Sequence, residues 1–446
     1  MSITATRIGH SSLTLDWSQL LMTSSPSDHM ASNEAWQRLK SRFEKGEVGF
    51  FDTPRRNELS QLKESVEMAQ NYIKSGLFKD CLFLGIGGSA LGPSSLLTAL
   101  PEKCTTGIRF HFMENPDPLD WRMTLQGLNP ETTLICAVTK SGTTFETMSL
   151  LLLALDWTGQ KRWTTHVLAI TDPEKGDLRT FVKQQKIPSL IIHPSIGGRF
   201  SLFSPVGLFP AALAGMSAEA LMAGANEVSN YVEKTAIEKN PLFLLGAEFI
   251  RRFNERPIHV CMPYSTRLRA ISAWFVQLWG ESLGKDRKGF TPLAAVGATD
   301  QHSILQLLRD GPDDKITFFI TVDEMGDPVK IPRLPFNLPS FVLLGGQTLH
   351  QLLTTEYQAT AQVLTRQNRP HLTLRMDRLD EKALGALYMA FSILTAVTGE
   401  LWHLNPFDQP GVEEGKIYIR ESLTRDRQTA QDDDGHSAVS RLRRDN

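Results

Sequence analysis

Short runs of apolar and β-branched residues recur along the first half of the chain, each followed by a helix-length stretch of mixed polarity. Between residues 81 and 193 these runs are CLFLGI, IRFHFM, TLICAVT, HVLAIT and SLIIH. Strands that alternate with helices in this way are typical of a parallel sheet covered by helices on both faces. The pattern therefore predicts an α/β unit over this region.

The same alternation returns after Pro257, with the runs IHVCMP, PLAAVGA, ITFFITV, SFVLL and LTLRM. Between the two series, residues 202–213 and 218–231 have the character of helices. We therefore predict an α/β fold with two units, each a mainly parallel sheet flanked by helices. The predicted domains are a helical segment at residues 1–75 that packs on the core, a first α/β domain at 76–225, a second at 240–420 and a charged, mobile tail at 421–446.

The composition is that of a soluble globular protein with a large core. Hydrophobic residues make up 41% and charged residues 22% of the 446 positions, which is enough apolar content for folding. The 47 basic and 49 acidic residues nearly cancel. We therefore predict no nucleic-acid partner, although a local basic site for a small anion stays open.

Three features predict a reducing, cytoplasmic setting without a membrane partner. The four cysteines include no C-x-x-C pair, which favours buried free thiols over a disulfide or a metal site. The apolar runs MSLLLLAL and ALYMAFSILTAV are shorter than the ~20 residues that span a bilayer. The first residues lack the charged start and apolar segment of a signal peptide.

A glycine-rich turn follows the first apolar run, in the stretch CLFLGIGGSALGP. Gly85, Gly87 and Ala90 nearly match the G-x-G-x-x-A fingerprint of dinucleotide-binding loops, and Glu114 ends the next strand-like run as the acidic partner would. The same turn also suits a compact phosphate monoester, in which case Ser89 is a phosphate ligand. The turn by itself leaves both interpretations open.

A second loop, VTKSGTTFETM, ends the third strand-like run and begins a helix. It contains four hydroxyl residues, Thr139, Ser141, Thr143 and Thr144. Free N–H groups and the positive end of a helix dipole bind a dianionic phosphate well, and Lys140 adds charge nearby. The simpler alternative is a plain N-cap in which one threonine closes the helix and Glu146 lies in its first turn.

The two loops belong at the same edge of the predicted sheet. Both follow parallel strands, so they emerge at the carboxyl edge, where open α/β folds bind ligands. Two adjacent turns rich in glycine and hydroxyl residues suit a phosphate monoester held from several sides, whereas a dinucleotide normally needs only the first turn. The pair of loops therefore favours a phosphate monoester.

Further stretches carry groups suited to acid–base chemistry, each with a plainer alternative. In GGRFSLFSPVG, Arg199 follows two glycines, where it either stabilises a developing oxyanion or pairs with a structural carboxylate. In WFVQLWGESLGKD, Gln277 and Glu281 share a helical face, and Glu281 is either a general base or a solvated residue near the helix end. His302 opens a helix and Lys416 lies near the start of another; their alternatives are a capping or core histidine and a surface charge.

The chain resembles the phosphoglucose isomerase family, in its shorter bacterial form, in six segments that occur in the same order. These are GIGGSALGP, TKSGTTFET, GGRFSLFSPVGL, GESLGK, TDQHS and NPFDQPGVEEGK, within residues 82–416. The resemblance implies two sugar isomerase (SIS) domains, each a parallel sheet between helices. It also implies a homodimer that acts on a sugar phosphate without a metal, a nucleotide or another cofactor.

The resemblance further implies a role for each candidate residue. Glu281 is the base that moves a proton between C2 and C1 of the open-chain sugar through a cis-enediolate, and Arg199 stabilises the negative oxygen. His302, donated by the neighbouring subunit, and Lys416 assist opening of the pyranose ring. The predicted substrate-binding residues are Gly88, Ser89, Thr139, Lys140, Ser141, Thr143, Thr144, Gln277, Gln409 and Glu146.

The function that the resemblance implies is an aldose–ketose isomerase acting on glucose 6-phosphate and fructose 6-phosphate. One alternative is a regulatory protein that binds a sugar phosphate without turnover, although such a sensor does not need Glu281, His302, Arg199 and Lys416 together. Another is an isomerase that also accepts mannose 6-phosphate, because C2 epimers share one enediolate and discrimination depends on the shape of the pocket.

Overall fold

The structure is a computed structural model that describes residues 5–9, 12–20, 26–55 and 61–425. The chain folds into two compact units, Met1–Pro406 and Phe407–Asn446. In the second unit the described residues include one helix, 410–425. Most of the predicted mobile tail at 421–446 lies outside the described residues.

The described residues of the first unit form two sheets. Their strands are β1 (Ala5–Arg7), β2 (Leu13–Asp16), β3 (Asp80–Leu84), β4 (Arg109–Met113), β5 (Thr133–Thr139), β6 (Val167–Thr171), β7 (Ser189–Ile191), β8 (Ile258–Pro263), β9 (Thr291–Ala294), β10 (Lys315–Glu324) and β11 (His371–Arg378).

The first sheet has the strand order β4-β3-β5-β6-β7, and all of its pairs are parallel. Every residue of β3, β5 and β6 is buried. This agrees with their continuous apolar sequences, because parallel strands are normally covered on both faces. The five strands coincide with the runs predicted between residues 81 and 193, so the first α/β unit is confirmed.

The second sheet has the order β1-β2-β11-β10-β8-β9. The pairs among β8, β9, β10 and β11 are parallel. Read from β9, these strands repeat the order of the first sheet, since β9-β8-β10-β11 corresponds to β4-β3-β5-β6. The second α/β unit is therefore confirmed as well, while the limits proposed for the two domains stay a prediction.

The N-terminal segment, predicted as helical, also contributes strands. β1 and β2 form an antiparallel hairpin, and β2 pairs antiparallel with β11 at the edge of the second sheet. In β2, buried Leu13 and Leu15 alternate with half-buried Thr14 and Asp16, as in a strand with one face on the core. The run is short and its partner lies some 360 residues away, so local pattern gave little signal for it.

Helices cover both sheets and connect their strands. They are α1 (Pro26–Glu44), α2 (Leu62–Ser75), α3 (Leu91–Ala99), α4 (Pro118–Gln126), α5 (Phe145–Thr158), α6 (Trp163–His166), α7 (Asp177–Gln185), α8 (Pro205–Ala214), α9 (Ala218–Lys234), α10 (Pro241–Arg251), α11 (Arg269–Leu283), α12 (Gln301–Asp310), α13 (Pro339–Leu344), α14 (Leu349–Arg366) and α15 (Glu381–Leu401).

The run SFVLL, predicted as a strand, is part of helix α13, so that prediction is wrong. Pro339 lies at the start of the helix. Proline is favoured there because an N–H group in the first turn has no acceptor within the helix, so its absence in proline removes no hydrogen bond. A five-residue apolar run fits a strand and a helix equally well, so periodicity alone does not distinguish them. Its Phe341, Val342 and Leu343 side chains are exposed and belong to neither sheet.

Helix α15 lies in the core. It packs so closely on α9 that a side chain at Gly224 or Gly385 would overlap the backbone of the opposite helix. Among the described helices, α15 is the one long and apolar enough to cross a membrane, but 94% of its most apolar window is buried inside the protein. Burial of this kind is typical of a core helix in a globular protein.

A fully buried histidine of strand β8 packs among aromatic rings. His259 stacks on Phe290 with ring centroids 4.1 Å apart, and Phe249, Phe318 and Trp279 surround it. Neither ring nitrogen has a hydrogen-bond partner among the described residues. Burial lowers the pKa of His259 to about 3, because the charged imidazolium cannot be solvated there.

The environment of His259 predicts a loss of stability in acid. The unfolded chain protonates this histidine near its ordinary pKa of about 6.5, whereas the folded protein keeps it neutral down to about pH 3. Below pH 6.5 the unfolded state therefore binds more protons, and the free energy of unfolding falls as the pH falls. At pH 5 the contribution of one such group is about 2 kcal/mol.

We expect His259→Phe to lose less stability than the unchanged protein between pH 7.5 and pH 5. Urea unfolding at both pH values and equal protein concentration measures the difference. His371, whose pKa burial lowers to about 4, is present in both proteins and cancels. An identical loss in the two proteins would contradict the neutral assignment of His259.

Candidate active site

Four hydroxyl side chains meet where β5 ends and α5 begins. Thr139 Oγ1 lies 2.8 Å from Thr144 Oγ1 and 3.4 Å from Ser141 Oγ, and Ser141 Oγ lies 3.2 Å from Thr144 Oγ1. The Thr143 hydroxyl donates to Ser141 Oγ at 3.4 Å. Hydroxyl groups that bond one another can rotate toward a new acceptor, so this hydroxyl cradle is suited to an anion.

The start of α5 adds backbone donors to the hydroxyl cradle. Thr144 occupies the N-cap position, but its side chain makes no capping hydrogen bond, so the plain N-cap interpretation does not account for these hydroxyls. The first N–H groups of a helix have no partner within it and lie at the positive end of its dipole. Gly142 has a φ of 66°, and a Cβ there would lie 3.0 Å from Gly176 Cα, so the loop requires glycine at this position.

Lys140 lies in the same loop, with its ammonium held by the backbone. Its Nζ donates to the Pro194 carbonyl at 2.7 Å. Burial lowers the pKa of Lys140, and the nearby charge of Asp172 opposes that shift. The lysine therefore joins the loop to the segment after β7, and its contact with a substrate stays a prediction.

The glycine-rich loop after β3 approaches two other candidate segments closely. A Cβ on Gly87, whose φ is 58°, would lie 2.8 Å from Gln277 Nε2. A Cβ on Gly88 would lie 2.5 Å from the backbone nitrogen of Arg199, and closer still to the Gly198 carbonyl. These glycines therefore let the edge of the first sheet contact the segments that carry Gln277 and Arg199.

Arg199 is buried, with 2% of its side chain exposed. Its Nε donates to Ser282 Oγ at 2.6 Å and its Nη2 donates to the Pro406 carbonyl at 2.6 Å. Its Nη1 lies 3.7 Å from Glu281 Oε2, so the two groups attract each other beyond hydrogen-bond length. The guanidinium is therefore held by the protein itself beside the Glu281 carboxylate.

Glu281 and Gln277 lie four residues apart on α11, as predicted for one helical face. Gln277 Nε2 donates to Glu281 Oε2 at 3.1 Å. Gln277 Oε1 is buried and has no hydrogen-bond partner among the described residues, so it is available to a hydroxyl donor. A quarter of the Glu281 side chain is exposed, which leaves the carboxylate accessible to a ligand.

Comparison with known proteins identifies the relatives of the chain. The sequence profile of the family described as "Phosphoglucose isomerase" matches residues 55–440. The chain belongs to the phosphoglucose isomerase family. A glucose-6-phosphate isomerase from Rubrobacter xylanophilus is 42% identical over 380 residues, which cover 82% of this chain and 87% of that protein.

Solved structures of similar proteins have the same fold. A hypothetical protein from Thermus thermophilus superposes with a TM-score of 0.84 at 35% identity, over 92% of this chain and 99% of that one. A glucose-6-phosphate isomerase from Chlamydia trachomatis gives a TM-score of 0.78 at 22% identity, over 93% of this chain and 88% of that one. The SIS-type architecture predicted from the phosphoglucose isomerase resemblance is therefore confirmed.

The other predicted residues belong to α12, to α5 and to the second unit. His302 is exposed near the start of α12, and none of the described residues hydrogen-bonds its ring. Gln409 and Lys416 belong to the second unit, where Lys416 Nζ contacts Glu413 Oε1 at 2.7 Å. Glu146 lies in the first turn of α5. Within the described part of the chain, no group of three or more His, Cys, Asp and Glu side chains could hold a metal ion.

Two groups of this candidate site were missed from the sequence. Ser282 and the Pro406 carbonyl hold the Arg199 guanidinium. Ser282 directly follows Glu281, and a position next to a candidate base on a helix end was an available signal. The sequence contains no signal for the Pro406 carbonyl. Every residue has a backbone carbonyl, and only the tertiary structure determines which of them accepts a hydrogen bond from Arg199.

We expect Gly88→Ala to destabilise the protein by about 2 kcal/mol or more, because the added Cβ must displace the backbone of Gly198 and Arg199. Gly198→Ala is the matched control from the other side of this contact, since a Cβ there meets nothing within 4 Å. Its effect should stay within about 0.5 kcal/mol. Urea unfolding of both variants measures the difference, and equal effects would show that the close approach is not a constraint.

Proposed function

We propose that the chain performs the reaction of its family, the interconversion of glucose 6-phosphate and fructose 6-phosphate, with Glu281 as the base. The observation that carries this proposal is the position of the Glu281 carboxylate, 3.7 Å from a buried guanidinium and four residues from an unpaired amide oxygen. A lone base beside a fixed cation is what proton transfer next to a carbonyl requires.

The phosphate of the substrate binds in the hydroxyl cradle. The hydroxyls of Thr139, Ser141, Thr143 and Thr144, together with the free N–H groups of α5, offer donors from several directions. Gly88 and Ser89 line the neighbouring loop, and Lys140 supplies positive charge. Because this grip is at one end of a six-carbon chain, it positions C1 and C2 at the other end.

The chemical step moves one proton between C2 and C1 and another between their oxygens. Glu281 removes the proton from C2 of the open-chain aldose, and the electrons of that C–H bond shift to give a cis-enediolate. Arg199 stabilises the negative oxygen of this intermediate. Glu281 returns the proton to C1, and the proton of the C2 hydroxyl passes to O1, so that C2 becomes the carbonyl carbon of the ketose. Gln277 contacts a sugar hydroxyl through its unpaired Oε1, and Gln409 and Glu146 contact others.

Ring opening uses residues outside this group. We assign it to His302 and Lys416, which exchange protons with the ring oxygen and the C1 hydroxyl. Since none of the described residues hydrogen-bonds the exposed His302 ring, it is available to a neighbouring subunit. We therefore propose a homodimer in which each subunit donates His302 to the site of the other.

An exposed apolar surface supports the homodimer. The large apolar side chains exposed around α13 are Val329, Leu334, Phe336, Leu338, Phe341, Val342, Leu343 and Leu349. Clusters of this kind mark protein contacts, because leaving them in water is unfavourable. We propose that a second copy of the chain covers this surface.

A cytoplasmic location is the setting that fits these residues best. The four cysteines are free; Cys81, Cys136 and Cys261 are buried and Cys104 is half-buried. Burial raises the thiol pKa values, so the thiols stay protonated and unreactive. Sugar phosphates and free thiols both belong to the reducing cytoplasm, where the reaction serves glycolysis and gluconeogenesis.

We expect Glu281→Gln to lower kcat by about 10²–10⁴-fold, because it removes the base and keeps the shape of the side chain. A dehydrogenase-coupled assay with fructose 6-phosphate measures turnover, and the same assay with mannose 6-phosphate detects the dual isomerase. Binding of an open-chain polyol 6-phosphate, which has no carbonyl to isomerise, should stay within about twofold. Near-normal turnover would overturn the base assignment, and tight binding by an inactive wild type would favour the sensor.

The shared site predicts complementation between two inactive variants. In a hybrid dimer of Glu281→Gln and His302→Ala chains, one site carries both defects and the other has its own Glu281 and the partner's intact histidine. We expect the purified hybrid to recover about half of the wild-type activity, whereas each parent homodimer stays nearly inactive. A hybrid as inactive as its parents would show that His302 acts within its own subunit.

A further inference from the structure

Backbone carbonyls at the end of the core helix α15 and in the turn that follows it accept hydrogen bonds from several cationic side chains. Arg38 Nη2 donates to the Glu400 carbonyl at 2.7 Å, and Lys288 Nζ donates to the Trp402 carbonyl at 3.2 Å. Lys285 Nζ donates to the Asn405 carbonyl. The carbonyls at the end of a helix form the negative end of its dipole, which favours positive side chains beside the Glu400 and Trp402 carbonyls.

The proposed catalytic arginine is another of these cations. Arg199 Nη2 donates to the Pro406 carbonyl, directly after Asn405, at 2.6 Å. The position of the guanidinium therefore depends on where the Asn405–Pro406 turn lies. Because Arg199 is buried and donates in two directions, to Pro406 and to Ser282, a shift of the turn would rotate the guanidinium relative to Glu281.

A side chain from the N-terminal helix α1 holds that turn. Arg42 Nη2 donates to Asn405 Oδ1 at 2.9 Å, and its Nη1 contacts Glu400 Oε1 at 3.1 Å. Glu400 is 5% exposed, so its carboxylate needs cationic partners to be stable in the interior. Arg42 therefore makes two contacts here, one with Glu400 near the end of α15 and one with the Asn405 side chain in the turn that follows.

Lys285 ties the same turn to the helix that carries the base. Its Nζ donates to the Ser282 carbonyl at 3.1 Å as well as to the Asn405 carbonyl. Ser282 follows Glu281 on α11, and its hydroxyl accepts from Arg199. The end of α11 and the turn after α15 thus form one frame around the guanidinium.

We infer that Arg42 and Asn405 are positioning residues for Arg199. Through the bond between them, the N-terminal helix holds the Pro406 carbonyl that orients the guanidinium toward the enediolate oxygen. The inference rests on the proposed role of Arg199 in the isomerase reaction. Misplacement of a catalytic group by about 1 Å can cost up to about 10²-fold in rate, so contacts that never touch the substrate can set kcat.

The chain offers a matched control for this inference. Arg38 lies one helical turn before Arg42 on α1 and also pairs with Glu400, its Nε lying 3.2 Å from Oε2. Its contacts are with Glu400, whereas Arg42 also reaches the Asn405 side chain. Arg38→Met and Arg42→Met each remove one cation from the same buried carboxylate. Arg42→Met also removes the contact with the Asn405 side chain and a 3.6 Å ion pair with the exposed Glu47, and Asn405→Leu separates these two losses.

We expect Arg42→Met and Asn405→Leu to lower kcat for fructose 6-phosphate by about tenfold with KM changed less than about twofold, because phosphate binding is untouched. Arg38→Met should keep kcat within about twofold, although it removes a partner of Glu400. Asn405→Asp keeps an oxygen for Arg42 and should retain wild-type kcat. Thermal unfolding of all four variants separates a loss of folded protein from a change in kcat.

Two inhibitors give a readout that stability does not affect. A sugar acid phosphate that ends in a carboxylate mimics the charged enediolate, whereas the polyol phosphate carries the same phosphate without that charge. In Arg42→Met and Asn405→Leu the carboxylate inhibitor should bind about tenfold more weakly and the polyol phosphate should be unchanged. Asn405→Leu keeps the test available if Arg42→Met does not fold.

Three results would overturn the inference. The first is wild-type kcat and inhibitor ratio in both Arg42→Met and Asn405→Leu. The second is an equal loss in Arg38→Met, which would assign the effect to Glu400. The third is a wild-type inhibitor ratio in Arg199→Lys, the reference variant; it would reject the role of Arg199 itself and so distinguish that failure from a failure of the positioning contacts.

Discussion

The buried guanidinium of Arg199 is the group on which the arrangement of the site depends. A charge that is removed from water is stable only if the protein replaces its solvation. Here the Ser282 hydroxyl and the Pro406 carbonyl do so. These partners belong to α11 and to the turn after α15, so the need to solvate one charge holds distant parts of the chain in a defined relation.

The two sheets have the same strand order but contribute differently to the site. The first places the hydroxyl cradle and the glycine-rich loop at the ends of β5 and β3, where parallel sheets normally bind ligands. From the second half, α11 contributes Glu281 and Gln277. The contact between Gly88 and the Gly198–Arg199 backbone brings the loops of the first sheet close to the segment that carries Arg199. Two backbone segments approach this closely only where a side chain is missing.

Most strands could be predicted because parallel strands covered on both faces are continuous apolar runs. The failures have the same physical cause: local pattern does not report distant partners. SFVLL has the composition of a strand, yet it forms the exposed helix α13 beginning at Pro339. The β1–β2 hairpin is short and mixed in polarity, and it is stable as part of a sheet because β11 supplies its hydrogen bonds.

The sequence by itself determined the α/β class, the two series of strands, the hydroxyl loop at the start of α5 and the pairing of Gln277 with Glu281. Each of these depends on residues a few positions apart, whose periodicity and spacing are local. Only the tertiary structure decided that Arg199 lies beside Glu281, that Gly88 contacts the arginine segment and that Arg42 reaches Asn405. Those relations join residues up to several hundred positions apart, and they arise from packing and from the solvation of buried charge, which no local pattern encodes.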